Sequence, residues 1–163
     1  MGQIENLALA AGSRHVVEEL VYKTGLALDA KDFAGYLALC DAKFRYRITA
    51  YSPEIRKLMT WLEHDHAGMK TLFGNLHLHN SDQSLLQRHM TVYTVTYGDG
   101  GKTADVVSGL QVYHTSNDGG VTTLFAVGKV YDKVALGDDG ARLVERNIKL
   151  DTRMLGIGFH IPF

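Results

Sequence analysis

The sequence predicts an α+β fold in which three N-terminal helices pack on a strongly curved, mainly antiparallel sheet. Up to Gly74, apolar residues recur at helical spacing except in one short alternating segment, whereas segments rich in β-branched and aromatic residues dominate the rest of the chain. Three turns rich in Gly and Asp divide that second half at nearly equal intervals, which is typical of four long strands in a meander. These turns are Gly98-Asp99-Gly100-Gly101, Asn117-Asp118-Gly119-Gly120 and Gly137-Asp138-Asp139-Gly140.

Length and composition narrow the class of protein. The 163 residues fit a single domain, 1–163, in which we expect residues 1–12 to form a flexible lead. The net charge is −1 and the cations are scattered among the acids, so no basic surface for nucleic acid is predicted. No apolar run approaches the roughly 20 residues of a membrane span, and the N-terminus lacks a secretion signal. A lone Cys40 forms no internal disulfide, and we expect a cytoplasmic protein.

The first two helices are predicted from caps and apolar stripes. Ser13 is the expected cap of a helix with an apolar stripe that runs to Leu28. Asp29 is the expected cap of a second, shorter helix whose stripe includes Phe33 and Cys40. We interpret Cys40 as a core residue rather than a nucleophile, because it falls on that stripe.

A short strand and a third helix are predicted next. Apolar and polar residues alternate from Phe44 to Tyr51, which favours a strand with one buried face. Ser52 and Pro53 then resemble a helix cap followed by proline at the first helical position. The apolar residues after them predict a helix that ends near Gly74.

The closing segments predict a long antiparallel hairpin. Residues 121–134 and 142–150 are rich in β-branched and aromatic side chains, and the last Gly-Asp turn joins them. On the second strand, Val144, Ile148 and Leu150 share one face with Arg142 and Arg146. A wide sheet with one better-buried face is therefore predicted.

This ending carries a family resemblance. The strand with Gly128, Tyr131 and Asp132 and the stretch from Arg146 to Leu155 resemble the closing hairpin of the β (small) subunits of Rieske non-haem iron ring-hydroxylating oxygenases. The motif residues of that stretch are Arg146, Leu150, Asp151, Thr152, Arg153 and Leu155. The likeness extends more weakly over nearly the whole chain, and the segment 61–65 leans towards the methanesulfonate monooxygenase-like branch.

The resemblance implies a fold and a role. The fold is the cone-shaped NTF2-like (cystatin-like) fold, which agrees with the order of elements predicted above. The role is that of a mainly structural small subunit beside a catalytic α subunit, which carries a Rieske 2Fe-2S cluster and a mononuclear non-haem iron. The implied assembly is α3β3, in which a reductase or ferredoxin supplies electrons, and the isolated chain is expected to form a trimer.

No catalytic, cofactor or metal site is predicted in this chain. A Rieske cluster needs two cysteines, and the chain has one. His64 and His66, if helical, point about 200° apart and cannot share an ion. His77 and His79 are interpreted as polar loop residues, because no glutamate follows to complete a ligand set.

Interface residues are predicted at two places. Arg88 and His89 lie at the entry of a predicted strand, and a histidine bonded to a neighbouring strand or partner chain is favoured there over a general base. Asp151 and Arg153 are two apart on an extended segment and project to the same side, and His160 lies in the apolar tail after them.

Two other classes of function remain open. The same cone fold houses pocket enzymes such as isomerases, dehydratases and cyclases, and also small-ligand-binding modules. The pocket residues of such an enzyme would be Tyr22, Asp41, Tyr46, His89 and Tyr93. A pocket enzyme needs no apolar tail over residues 157–163, so the ending favours a docking subunit. The substrate, an aromatic compound or a sulfonate, is not set by this chain, because the α subunit holds the substrate pocket.

Overall fold

The computed structural model describes the backbone of residues 2–79, 82–156 and 161–163, and the side chains of residues 13–78, 82–156 and 161–163. All the α-helices that it describes lie in the first half of the chain, and the second half is a meander of four strands, as the sequence predicts. The elements in chain order are α1 (Gly2–Asp29), α2 (Phe33–Ala38), β1 (Cys40–Ser52), β2 (Lys57–Asp65), α3 (His66–His79), β3 (Leu85–Gly98), a 3-10 turn (Asp99–Gly101), β4 (Thr103–Thr115), β5 (Thr122–Gly137) and β6 (Gly140–Leu150).

The strands form one six-stranded sheet in the order β2-β1-β6-β5-β4-β3. Strand β1 runs parallel to β6, and every other neighbouring pair is antiparallel. Helix α1 packs against β3 and β6, and α3 packs against β1 and β2. The predicted α+β class, the meander and its three Gly-rich turns are confirmed.

The core lies between the helices and the inner face of the sheet. Strand β1 buries Phe44, Tyr46, Ile48 and Ala50, the alternating set that the sequence predicts. Helix α1 contributes Val17 and other residues of its predicted stripe. Among the residues that the structure describes, no helix combines the length and apolar character that a membrane crossing requires.

The first helix begins earlier than predicted. Helix α1 starts at Gly2, so Ser13 lies within the helix and residues 2–12 are helical where a loose lead was expected. The run of Leu and Ala before Ser13 favours helix and outweighs the cap signal. Asp29 ends α1 rather than capping α2; the cap is Asp32, whose carboxylate accepts a hydrogen bond from Gly35 N at 2.8 Å. Cys40 is buried as predicted, but it opens β1.

The predicted third helix is wrong in its first half, because residues 57–65 form β2 and pair with β1. The chain reverses at a turn in which Arg56 adopts a φ of 52°. A bulge at Trp61 then interrupts the two-residue alternation of β2, so that Met59 and Leu62 both pack against the core. Because Met59 and Leu62 are three residues apart, their spacing in the sequence matches that of an apolar helix face.

Helix α3 begins at His66 and continues past Gly74 to His79. Asp65 precedes it and accepts a hydrogen bond from Gly68 N at 2.8 Å, as a helix cap does. His64 therefore lies on a strand and His66 on a helix. The interpretation of residues 77 and 79 as loop histidines is wrong, because both belong to α3.

Gly128 is required where β5 approaches β6. A Cβ at this position would lie 2.4 Å from the Lys149 carbonyl oxygen, which is backbone and cannot move aside.

We expect Gly128→Ala to lower the free energy of unfolding by about 3 kcal/mol. Gly74→Ala is the control, since nothing lies within 4 Å of its Cβ, and it should stabilise α3 by about 0.5–1 kcal/mol. Urea unfolding followed by circular dichroism measures both, and equal midpoints for Gly128→Ala and parent would contradict the close approach.

Candidate functional site

An ion pair occupies the interior of the cone. Asp132 on β5 and Arg146 on β6 are direct neighbours across the hairpin, and both side chains are fully buried. The Arg146 Nε and Nη2 atoms donate to the two Asp132 carboxylate oxygens at 2.8 and 2.7 Å, and Nη1 donates to the Thr24 hydroxyl of α1 at 2.8 Å. Burial is the largest influence on the pKa of Arg146 and lowers it, but the charge and hydrogen bonds of Asp132, together with the Tyr36 and Tyr46 hydroxyls, raise the pKa above its ordinary value. The pair joins the hairpin to α1.

The titratable groups around this pair are held in their protonated forms. Burial raises the pKa of the Cys40 thiol to about 12 and raises the pKa values of the Tyr36 and Tyr46 hydroxyls. A thiol reacts as the thiolate, and a general base needs a pKa near the working pH. The raised pKa values therefore disfavour these three residues as nucleophiles or general bases, and their side chains pack in the core.

The tail of the chain fills the rest of the interior. Phe163 is buried, its N–H donates to the Tyr46 hydroxyl at 2.8 Å, and the Tyr46 hydroxyl donates to the Phe163 carbonyl oxygen at 3.1 Å. The Phe163 ring lies against Phe125, with the ring centroids 6.3 Å apart. Arg88 Nη2 donates to the Pro162 carbonyl oxygen at 2.7 Å. The centre of the cone next to Tyr46 and Phe125 is thus occupied by the chain itself.

The structure does not bring the five predicted pocket residues together. Tyr46 lies in the core, whereas Tyr22 and Tyr93 are exposed by 42% and 56% of their surface. Tyr93 lies over Gly109 of β4, on the outer side of the sheet, and His89 is also exposed. Asp41 accepts a hydrogen bond from Lys43 N at the start of β1.

The structure separates the predicted interface residues. Arg88 is buried and bonded within the chain, so its prediction as an interface residue is corrected: Nη1 donates to the Asp29 carboxylate at 2.6 Å. His89 is exposed and its ring meets the ring of Tyr113 edge-on at 5.4 Å. His160 lies outside the described residues.

Asp151 and Arg153 are both exposed, but Arg153 has another partner within the chain. Its Nη1 binds the carboxylate of Glu54, which lies in the turn between β1 and β2. A backbone hydrogen bond of Glu54 itself, and then those from Arg153 and Ser52, lower the pKa of Glu54 to about 2. This contact links the segment after β6 to that turn.

The residues of the sequence resemblance have structural roles. Gly128 allows the close approach of β5 to β6, and Asp132 and Arg146 form the interior ion pair. The Thr152 hydroxyl accepts a hydrogen bond from Val127 N at 2.9 Å, and Leu155 is buried. Among the residues that the structure describes, no group of three or more His, Cys, Asp or Glu side chains is placed to hold a metal ion.

Comparison with known proteins identifies the family. The SnoaL-like domain model matches residues 10–147. The chain is 36% identical to the methanesulfonate monooxygenase hydroxylase subunit beta of Methylosulfonomonas methylovora, over 95% of this chain and 90% of that protein. It is 30% identical to the 2-aminobenzenesulfonate 2,3-dioxygenase subunit beta of an Alcaligenes species, over 90% of this chain and 96% of that protein. The chain belongs to the SnoaL-like family, among its oxygenase β subunits.

A solved structure agrees with this assignment at the level of the fold. The crystal structure assigned as the β subunit of an aromatic-ring-hydroxylating dioxygenase from Novosphingobium aromaticivorans superposes with a TM-score of 0.77 and 19% sequence identity. The match covers 90% of this chain and 94% of the other chain. The predicted cone-shaped NTF2-like fold of this β subunit is confirmed.

One surface of the β subunit was not predicted. Four large apolar side chains are more than half exposed near the pair of Arg153 and Glu54, and we call them the tip surface. Tyr51 and Leu58 are direct partners across the hairpin of β1 and β2, Ile55 follows Glu54, and Met154 follows Arg153. In the sequence, Tyr51, Ile55 and Leu58 lie close to Pro53. Because the sequence predicts a helix after Pro53, Ile55 and Leu58 are expected on its buried stripe and not on the surface.

Proposed function

We propose that this chain is the β subunit of a multicomponent Rieske-type oxygenase and that its role is to support a catalytic α subunit. The observation that carries the proposal is that Phe163 and the ion pair of Asp132 and Arg146 occupy the centre of the cone. A subunit whose centre is packed with its own side chains fits a structural role. The Rieske 2Fe-2S cluster and the mononuclear non-haem iron then belong to the α subunit, and a reductase or ferredoxin delivers electrons to the complex.

The tip surface is proposed as the docking site for the α subunit, in an α3β3 assembly. Clustered exposed apolar side chains are typical of interaction sites. The exposed fractions here are 55% for Tyr51, 58% for Ile55, 57% for Leu58 and 85% for Met154. The ionic contact between Arg153 and Glu54 holds the two segments of this surface together.

The substrate class is proposed to be a sulfonate. The two curated relatives named above are both subunits of enzymes named for sulfonates, and they match this chain at 36% and 30% identity over nearly its full length. Because substrate binding is assigned to the α subunit, this proposal concerns the complex and not a pocket in the β subunit.

The proposal is tested by co-expression with a Rieske-type oxygenase α subunit. A tagged β subunit should retain the α subunit on an affinity column, and metal analysis should find iron with α. The reconstituted complex, supplied with O₂ and with a reductase or ferredoxin as electron donor, should oxidise a sulfonate. Ile55→Asp and Met154→Asp should each weaken retention of α by at least about tenfold, because a charge is placed in the buried centre of the interface. Leu26→Asp, at an exposed position of α1, is the matched control and should leave retention unchanged.

Arg153→Ala separates the docking role from folding. We expect the melting temperature of the isolated chain to be almost unchanged, because an exposed ion pair contributes little to stability. The pKa of Glu54, followed by NMR titration, should rise towards its ordinary value when Arg153 is removed, and retention of α should fall.

Undiminished retention of α by Arg153→Ala, Ile55→Asp and Met154→Asp would show that the tip surface is not the docking site. Stoichiometric iron in the isolated chain would refute the assignment of the metal centres to α.

A further inference from the structure

A cleft opens beside the tail, between the end of α1, helix α3 and the start of β3. Its volume is about 160 Å³. The wall of the cleft is mainly apolar, and its apolar residues are Leu28, Phe33, Leu76, Leu85, Leu86 and Ile161. An engineered apolar cavity of similar volume in another protein holds a benzene molecule, so the cleft has the size for one aromatic ring or a branched alkyl group.

One cation in this wall has an unused hydrogen-bond donor. The Arg88 side chain lines the cleft and is only 1% exposed. Its Nη1 donates to Asp29 and its Nη2 to the Pro162 carbonyl oxygen, but Nε is buried and has no hydrogen-bond partner. A buried N–H without an acceptor is costly, and a ligand oxygen beside it would remove that cost.

The charges at the cleft favour an anion. The basic residues that line it are Arg88, Lys31 and His77, and Asp29, already paired with Arg88, is the acid. Lys31 Nζ lies 3.5 Å from the Gln83 side-chain oxygen at the cleft. The charge of Asp29 cancels that of Arg88, so the positive charge of Lys31 remains at the cleft.

We propose that this cleft binds a small organic anion, a carboxylate or sulfonate that carries one aromatic ring or one branched alkyl group. The apolar group packs against the wall, and an anionic oxygen accepts the hydrogen bond from Arg88 Nε. The site is a binding site without a reaction. It goes beyond the proposed structural function and does not depend on it, because it is a property of the isolated chain.

Ligand binding is coupled to the tail. Ile161 forms part of the wall, and Arg88 holds the Pro162 carbonyl oxygen. An anion that fixes the Arg88 side chain therefore also stabilises the seated tail. We expect the bound ligand to raise the melting temperature of the chain, since it binds the folded state alone.

The test uses the purified full chain with benzenesulfonate, benzoate and neutral toluene, which share one ring. Titration calorimetry should show one bound anion per chain, with toluene at least about tenfold weaker, since a hydrogen bond to a charged group contributes about 1.5–3 kcal/mol. Binding of either anion supports the proposal, and the tighter of the two identifies the preferred head group. The Arg88 Nε–H signal should shift in NMR spectra when the anion is added.

Two variants locate the site. Leu76→Trp fills the cleft and should abolish binding of all three probes, whereas Leu78→Trp, at a position on the same helix that is 68% exposed, should bind like the parent. If Leu76→Trp fails to fold, the NMR shift of Arg88 in the parent chain decides the question. Equal affinity for toluene and benzenesulfonate, or an anion that shifts signals away from the cleft and leaves Arg88 unchanged, would overturn the proposal. So would the absence of binding at millimolar probe concentration.

Discussion

Asp132→Ala is expected to lower the free energy of unfolding of the isolated chain by about 3–5 kcal/mol. The substitution removes both carboxylate acceptors of the Arg146 guanidinium and leaves it only the neutral Thr24 hydroxyl, in the middle of the core where Arg146 is 1% exposed. A buried charge that loses its partner keeps its desolvation cost without any compensating attraction. Chemical denaturation of parent and variant, followed by circular dichroism, measures the difference.

A double variant tests the cause of that loss. Asp132→Leu combined with Arg146→Met removes both charges and keeps the volume apolar, so it should recover most of the lost stability. Glu63→Ala breaks the exposed ion pair with Arg47 and should change little, because exposed pairs are screened by solvent. An Asp132→Ala variant as stable as the parent would contradict the buried pair.

The sequence predicted the meander well because its signals are local. Each Gly-rich turn between β3, β4, β5 and β6 is marked by the residues that a tight reversal needs, and Gly140 adopts a φ of 110°. Strand β1 was predicted for the same reason, since its alternation is not interrupted between Phe44 and Ile48.

Bulges explain what could not be predicted. The extra residue at Trp61 gives the apolar residues of β2 a helical spacing, so the sequence predicts a helix where the structure has a strand. In the closing hairpin, pairing runs regularly from Gly137 and Gly140 to Val134 and Leu143, and a bulge then shifts the register by one residue.

That second bulge also determines the interior site. Without it, continued pairing would place Asp132 opposite Glu145, and two acids would face each other. With it, Asp132 lies opposite Arg146. The sequence placed Arg146 on the better-buried face but named no partner, because the register shift follows from packing and not from the turn. The sequence does contain a signal for the bulge, because pairing Asp132 with Arg146 is electrostatically better than pairing it with Glu145.

The position of the tail could not be inferred from the sequence either. Its apolar residues suggest docking, but they do not say whether the docking surface belongs to another chain or to this one. In the structure, the Tyr46 hydroxyl and the Arg88 guanidinium hold the main chain of residues 162 and 163 inside the cone. Both partners are more than 70 residues away in sequence, so no local pattern links them to the tail.

Phe163→Ala distinguishes these two locations. Phe163 is 2% exposed and packs against Phe125, so its removal should leave a cavity and lower the free energy of unfolding of the isolated chain by about 3–5 kcal/mol. Met154→Ala is the control on the same segment after β6, since that side chain is 85% exposed and its removal should not change the unfolding midpoint. A tail that docks on a partner would give the opposite result, with an unchanged isolated chain and a loss of stability only in the assembled complex. Denaturation of the isolated chain and of the complex, measured side by side, therefore decides whether the tail closes its own cone.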